Sequence, residues 1–207
     1  MNTRWQVRTV RWIGVAVRRL LPREAVFKRR LYTIHLVPLI FLSVVSFCWC
    51  QSSGPTETQV KAAYLYNFGK FVTWQPDRVA TSDSLQICVL GKDPFGAVLD
   101  STVAGKSVDG RKITVRRVAK VQDAGSCSIL FVSSSEEGRL GSVLNSAQAS
   151  SVLTISDMPH FAEKGGVIGF VKQADRIRFE VNRKAAEQSH LVLSSELLKV
   201  AVKVFGN

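Results

Sequence analysis

The sequence is short of acidic residues, histidine and cysteine. Its 207 residues hold 16 Asp and Glu against 28 Lys and Arg, with three His and four Cys. The excess of positive charge is concentrated, because nine basic residues and only one acidic residue lie in residues 1–30. The rest of the chain has an ordinary mixed charge, which gives no reason to expect a nucleic-acid-binding domain. A hydrophobic content of 46% excludes a disordered chain.

Asp, Glu, Lys and Arg are absent from residues 31–50, which form an apolar run. A basic stretch, an apolar run and a small polar stretch occur in this order in secretory signals. We therefore predict a signal peptide with a long basic leader over residues 1–53, and export of residues 54–207 to the periplasm as one domain. The alternative is an uncleaved anchor, because about 20 apolar residues can span a bilayer.

Cysteine is scarce beyond this leader, where only Cys88 and Cys127 occur. There is no C-x-x-C pair and no Cys/His cluster with zinc-binding spacing, so the sequence predicts neither a metal nor a cofactor. Two cysteines in an oxidising compartment predict one disulfide. The alternative is two buried free thiols that pack as small hydrophobic side chains.

Motifs for catalysis are also lacking. A hydrolase reading would combine His160 with Asp157 and a serine such as Ser133. No G-x-S-x-G motif supports this reading. Asp157 and His160 lie on either side of Pro159, where hydrogen bonding within a turn explains both residues more simply. We therefore predict that the protein is not an enzyme.

The first segment after the leader has the pattern of an amphipathic helix, with apolar residues at intervals of three and four. Tyr64, Phe68 and Phe71 fall on the apolar stripe and are predicted to lie in the core. Tyr66 and Trp74 fall off the stripe. They are therefore candidate partner-binding residues.

Short strands and helices alternate along the rest of the chain. The predicted strands cover residues 84–90, 112–118, 127–132 and 151–155, and alternating runs on either side of residues 173–175 predict a β-hairpin. The predicted helices cover residues 56–74 with a Thr56/Gln59 capping box, 93–100 with Asp93 as N-cap, 133–147, 183–190, and 196–204 with Ser194 or Ser195 as N-cap. This order predicts an α/β fold: a single domain with a mixed, mainly parallel sheet, helices on both faces and a C-terminal β-hairpin plus helix.

A second candidate surface is basic. Arg176 and Arg178 lie two residues apart in a predicted strand, so their side chains share one face of the sheet. With Lys172 they would form a patch that binds an acidic partner or ligand. The alternative is that Glu180, which continues the same face, neutralises the two arginines.

Four stretches together resemble the YfiR/HmsC family of small periplasmic proteins. The first, VKAAYLYNFGKFVTW from residue 60, follows the family pattern V-K-A-x-x-L-Y-N-F-x-x-F-x-x-W-P, except that Gln75 delays the proline. The others are GKDPFG from residue 91, ISDMPHF from residue 155, and IRFEVN from residue 177 followed by LSSELL from residue 193. The combination is specific, although no single motif is.

The resemblance implies a periplasmic repressor. Such a protein holds the periplasmic sensory domain of an inner-membrane diguanylate cyclase in an inactive state, which lowers cyclic di-GMP and biofilm output. It also implies a homodimer, an outer-membrane lipoprotein that sequesters the repressor, and a disulfide matching the separation of Cys88 and Cys127. A second disulfide of some family members has no counterpart here.

A different hypothesis remains open from the residues themselves. The chain would be a periplasmic small-molecule sensing module that serves a histidine kinase or a transporter. Its anion-binding pocket would lie near Arg176 and Arg178.

Overall fold

The computed structural model describes residues 54–75 and 84–206. The first element is helix α1, Glu57–Phe71. The Gln59 N–H donates to Thr56 Oγ1 at 3.3 Å, and the Thr56 N–H donates to Gln59 Oε1 at 2.8 Å. This confirms the predicted capping box. The predicted signal peptide lies outside the described residues.

Ten strands and four further helices follow α1 in the described part of the chain. The strands are β1 (Val72–Thr73), β2 (Ser84–Leu90), β3 (Ser107–Val108), β4 (Arg111–Val118), β5 (Ile129–Val132), β6 (Leu153–Ser156), β7 (Ile168–Gln173), β8 (Arg176–Asn182), β9 (Val192–Leu193) and β10 (Lys203–Phe205). The helices are α2 (Ala97–Val103), α3 (Leu140–Ala149), α4 (Arg183–Gln188) and α5 (Ser195–Val200), and two 3₁₀ helices cover Val121–Ser126 and Ser134–Arg139.

Eight strands form one sheet in the spatial order β10-β8-β7-β6-β5-β2-β4-β3. Neighbouring strands are parallel, except that β7–β8 and β3–β4 are antiparallel. Strands β1 and β9 form a separate antiparallel pair, with Val72 opposite Leu193. The predicted mixed, mainly parallel sheet is thus confirmed.

The two faces of the sheet are covered by different helices. Ile87 and Val89 of β2 lie in a core with buried residues of α1, α2, α4 and α5. Cys88 and Leu90, which alternate with them, lie in a second core with α3 and the first 3₁₀ helix. Side chains of successive strand residues point to opposite faces, so one apolar run supplies both cores. Helices on both faces are therefore confirmed.

The stripe of α1 lies partly where the sequence predicts it. Phe68 is buried, and Tyr64 is partly buried and packs against the same core. The prediction is wrong for Phe71, whose exposure is 37%. The buried face runs through Leu65 and Phe68 to Val72, and Phe71 lies one position off this line.

The start of the second helix also differs from the prediction. Asp93 is not its N-cap, because α2 begins at Ala97 and Gly96 occupies the cap position. The Asp93 carboxylate instead accepts a hydrogen bond from the Phe95 N–H at 2.7 Å and pairs with Arg117 at 2.9 Å. The same residue type that caps helices also closes such a local turn.

The C-terminal hairpin is confirmed. Strands β7 and β8 are joined by Ala174 and Asp175, whose φ angles are 47° and 58°, and Gln173 lies opposite Arg176. Two consecutive residues with positive φ are typical of a type I′ hairpin turn. The last helix is shorter than predicted, because the chain leaves α5 at Val200 and adds β10 to the sheet parallel to β8.

No helix in the described ranges is long and apolar enough to cross a membrane.

Candidate functional site

The end of α1 packs against the β3–β4 hairpin because Gly69 permits a close approach. A Cβ atom at Gly69 would lie 3.3 Å from Leu85 Cδ1 and 3.7 Å from Val108 Cγ2. On the hairpin, Val108 pairs with Arg111, and the Ile113 N–H donates to the Lys106 carbonyl. Side chains alternate along each strand, so Lys106, Val108 and Arg111 share the face that α1 covers.

Two lysines lie against the ring of Tyr66. Lys70 Nζ is 4.2 Å and Lys106 Nζ is 4.6 Å from the ring centre. The first lysine is one turn further along α1, and the second is contributed by the hairpin. Ammonium groups at this distance are attracted by the negative face of an aromatic ring. Both lysines are exposed, so their charge stays available to solvent or a partner.

A third cation lies beside Trp74. The Arg111 guanidinium carbon is 5.8 Å from the centre of the Trp74 ring, and only 5% of Trp74 is exposed. The indole Nε1 of Trp74 and the Nε of Arg111 are both buried, and neither makes a hydrogen bond. Buried donors are nearly always satisfied in folded proteins. Two neighbouring buried donors that both lack an acceptor are therefore unusual in a folded protein.

We call these residues the basic–aromatic cluster: Tyr66, Lys70, Trp74, Lys106 and Arg111. Its three cations form no ion pair with the described residues, which sets them apart from cations such as Arg117 and Arg183. The cluster combines positive charge with two aromatic rings and two unsatisfied donors. Chemically, it is suited to accept an anion.

Tyr66 and Trp74, predicted as partner-binding residues, thus both belong to one cluster. They differ in access, because Tyr66 is partly exposed and Trp74 is nearly buried. Sequence reasoning missed the three cations. Lys70 lies four residues after Tyr66, which is a detectable helix spacing. Lys106 and Arg111 are placed by the hairpin, and no sequence signal links them to α1.

Arg176 and Arg178 lie elsewhere. Phe179 follows Arg178 in β8, so its side chain lies on the other face of the strand. It packs edge-on against Phe68 of α1, with ring centres 5.0 Å apart. The two arginines therefore lie on the opposite face of β8 from α1 and the cluster. Both are exposed, and neither pairs with Glu180 within the described residues. Lys172 does not join them in one site but lies 3.4 Å from Asp175.

The residues of the hydrolase reading are not brought together. His160 Nδ1 lies 3.0 Å from Glu163 Oε2. Asp157 accepts a hydrogen bond from Lys61 Nζ at 2.7 Å. The Ser133 side chain caps a 3₁₀ helix. Each residue therefore has a structural partner, but the partner of Asp157 is Lys61 of α1, 96 positions away in sequence, and not a group within the turn as the sequence predicts.

The predicted disulfide between Cys88 and Cys127 is present. The two Cα atoms are 5.9 Å apart, and the bond spans 39 positions of sequence. Both residues are fully buried in the core that contains α3. The disulfide joins β2 to the residues that lead into its neighbour β5, which fixes two central strands to each other.

The carboxyl ends of β2 and β5 are the usual ligand crevice of an open α/β sheet. In this structure, residues of the second 3₁₀ helix occupy the crevice. A Cβ atom at Gly91 would lie 2.6 Å from Glu136 Oε1, and the Lys92 N–H donates to Ser135 Oγ at 3.0 Å. A ligand at this edge would first have to displace the second 3₁₀ helix.

One cavity of about 290 Å³ lies between α4, β9 and α5. Its lining includes Arg183, Glu187, Leu191 and Leu198. Val192, at its edge, is 67% exposed. The cavity is thus partly apolar, carries one group of each charge and opens beside an exposed hydrophobic side chain.

The sequence matches the model of the YfiR/HmsC-like family over residues 58–202. The chain belongs to this family. Membership supports a periplasmic regulatory role in cyclic di-GMP signalling, and the family is regulatory rather than catalytic. The disulfide fits an oxidising compartment such as the periplasm.

A solved structure shows the same kind of fold. A conserved domain protein from Vibrio cholerae O1 biovar El Tor superposes with a TM-score of 0.51 at 13% identity, over 73% of this chain and 61% of that one. An ABC domain in complex with L-Trp from Streptococcus pneumoniae has a TM-score of 0.46 at 15% identity, over 70% of this chain and 60% of that one. This chain thus matches about three-fifths of each structure's length. No curated protein matches the sequence.

Proposed function

We propose that this protein represses an inner-membrane diguanylate cyclase by binding the cyclase's periplasmic sensory domain. Repression lowers cyclic di-GMP and, with it, biofilm output. The protein acts without a catalytic step of its own. In this proposal it works as a homodimer, and an outer-membrane lipoprotein sequesters it to release the cyclase.

The observation that carries the proposal is the family match over residues 58–202. Two features of the structure support it. The disulfide gives the domain a covalent tie suited to an oxidising compartment. In addition, three cations of the basic–aromatic cluster have no carboxylate partner among the described residues, which leaves positive charge for an acidic surface.

Repression by binding requires a difference in affinity. A protein that binds the inactive and active forms of the cyclase equally well shifts nothing. A preference of about 100-fold for the inactive form corresponds to about 2.7 kcal/mol. One or two charge-assisted hydrogen bonds made in only one of the two forms are enough to supply this difference.

The test is the intracellular cyclic di-GMP concentration in a strain that lacks the gene. We expect a rise that complementation with the intact gene reverses. The rise should vanish in a second strain that also lacks the candidate cyclase. A complementing chain without residues 1–53 should fail to restore repression, because it would remain on the wrong side of the membrane.

An unchanged cyclic di-GMP concentration, with the candidate cyclase shown to be expressed, would contradict the proposal. A rise that persists without the cyclase would contradict the assignment of the partner. The two strains therefore separate the role of the protein from the identity of its target.

The cavity between α4, β9 and α5 favours a second candidate function. At about 290 Å³ it is close to the lower end of the size range of small-molecule sites. A sensing module that serves a histidine kinase or a transporter would bind its ligand there rather than near Arg176 and Arg178. A rise in melting temperature with amino acids or dicarboxylates, abolished by Leu198→Trp, would support this function over repression by contact alone.

A further inference from the structure

We propose that the basic–aromatic cluster is a carboxylate-binding site, and that it receives an Asp or Glu side chain from an acidic segment of a protein partner. The ligand chemistry is inferred from the geometry alone. That a protein carries this carboxylate rests on the function proposed above.

The two orphan donors define the ligand chemistry. Trp74 Nε1 and Arg111 Nε are buried, lack acceptors and belong to side chains in contact. An indole N–H can only donate, and so can a guanidinium. A group that accepts from both must therefore present oxygen lone pairs. A carboxylate does so with two oxygens and also neutralises the arginine.

The lysines extend the site outwards. Lys70 and Lys106 lie on the Tyr66 ring at the exposed side of the cluster. They are too exposed to hold one fixed group. Their charge attracts an acidic segment and speeds its approach, whereas the buried donors set its position.

A protein segment fits this arrangement better than a free small molecule does. Binding pockets for small molecules enclose most of the ligand surface. The cavity between α4, β9 and α5 contains none of the cluster residues. Lys70 and Lys106 are exposed and lie over the Tyr66 ring, so an acidic segment whose carboxylate reaches the buried donors can also lie along both lysines.

The experiment follows the indole N–H signal of Trp74 by nuclear magnetic resonance in the protein purified in its native processed form. The Trp74→Phe variant assigns the signal. The probe is a capped peptide of alternating Gly and Glu, and the control is the same peptide with Gln. We expect the Glu peptide to move the signal downfield and the Gln peptide to leave it unchanged.

Variants test what each cluster residue contributes to binding of the Glu peptide. Arg111→Gln should weaken binding of the Glu peptide at least about tenfold, because it removes a charge-assisted bond. The double change Lys70→Gln and Lys106→Gln, at exposed positions, keeps the fold and should lower the salt dependence of binding. Arg178→Gln removes one exposed charge on the opposite sheet face and should change the affinity less than twofold.

Each of the following results would overturn one part of the proposal. No movement of the signal with the Glu peptide overturns the site. An equal movement with glutarate, at the same carboxylate concentration, overturns the assignment to a polypeptide, and an equal movement with phosphate overturns the preference for carboxylates. The titration contains no cyclase, so its outcome is independent of whether the protein represses one.

Discussion

Gly91 shows how one missing side chain shapes the end of β2. Its φ of 85° is a left-handed conformation, and a Cβ atom there would lie 2.6 Å from Glu136 Oε1. Gly91→Ala should therefore destabilise the fold by about 2–3 kcal/mol, from strain together with overlap. Urea unfolding at equilibrium measures the change.

The matched control is Gly105→Ala. Gly105 has a similar φ of 70°, but a Cβ atom there would meet nothing within 4 Å. This variant should cost only the backbone strain, about 1–2 kcal/mol. Equal losses at both positions would contradict the account of overlap at Gly91.

The ion pair between Asp100 and Arg117 predicts that the stability of the fold depends on pH in the acidic range. The hydrogen bond from Arg117, with Nη2 2.6 Å from Asp100 Oδ2, lowers the pKa of this carboxyl below its ordinary value. A group with a lowered folded-state pKa stabilises the fold above its unfolded pKa and loses that contribution as the pH falls through the folded pKa. The stability advantage of the parent protein over Asp100→Asn should therefore shrink below about pH 4.

Urea unfolding from about pH 2 to 6 checks this expectation. Asp100 is half exposed, so the difference should be small and should fall further with salt. The control is Asp175→Asn, because the Asp175 carboxylate is 96% exposed. A difference between the parent and Asp100→Asn that stays constant across this range would contradict the assignment.

Single residues were predictable where the signal was local. The Thr56 and Gln59 capping box depends on a spacing of three, and the structure shows it. The environment of Trp74 was not predictable, because Arg111 reaches it through a hairpin that a sequence pattern does not place against α1. The prediction of Asp93 as an N-cap was wrong for a different reason, because its side chain has competing local hydrogen-bond partners.

At the scale of elements, α5 depends on its N-cap. The sequence left Ser194 and Ser195 as alternatives, and the structure shows Ser194 Oγ accepting a hydrogen bond from the Leu197 N–H at 3.2 Å. Ser194→Ala should destabilise the protein by about 1 kcal/mol. Ser195→Ala, one residue into the helix, should be close to neutral. Chemical denaturation measures the free energy of unfolding of both variants. A larger loss of stability for Ser195→Ala than for Ser194→Ala would contradict the capping role of Ser194.

The end of α5 shows where element prediction reaches its limit. Residues 196–204 read as a continuous helical stretch, yet the chain leaves the helix after Val200 and forms β10. The open edge of β8 decides this, because it offers backbone groups that residues 203–205 pair with in parallel. Tertiary pairing of this kind overrides local propensity and cannot be read from nine residues.

For the whole molecule, the disulfide is the main covalent constraint among the described residues. A closed loop of about 40 residues contributes about 3–4 kcal/mol by restricting the unfolded chain. Cys88→Ser should therefore lower the melting temperature clearly under oxidising conditions. Under reducing conditions the parent and the variant should converge. An unchanged melting temperature of the variant without reductant would contradict a stabilising role.

The α/β class and the hairpin followed from the sequence because apolar runs, turns and alternation are local patterns. The spatial order of the strands did not follow, since β10 and β3 lie at opposite edges of one sheet. The candidate site was half predictable. Tyr66 and Trp74 were predicted from their place off the apolar stripe, although Trp74 lies beyond the end of α1. The cations gather only when the sheet forms.

The packing of α1 has a consequence for the time at which the molecule can fold. Tyr64 and Ile177, which the structure joins by a hydrogen bond, are 113 positions apart in sequence. A chain that leaves a ribosome or a membrane pore N-terminus first presents α1 long before β7 and β8 exist. The part of its apolar stripe that packs on β7 and β8 then has no partner, although its partners in β2 and α2 have already emerged. This part of the core therefore closes only after the last third of the chain has emerged, and until then the apolar residues of α1 that it covers are open to a holding chaperone.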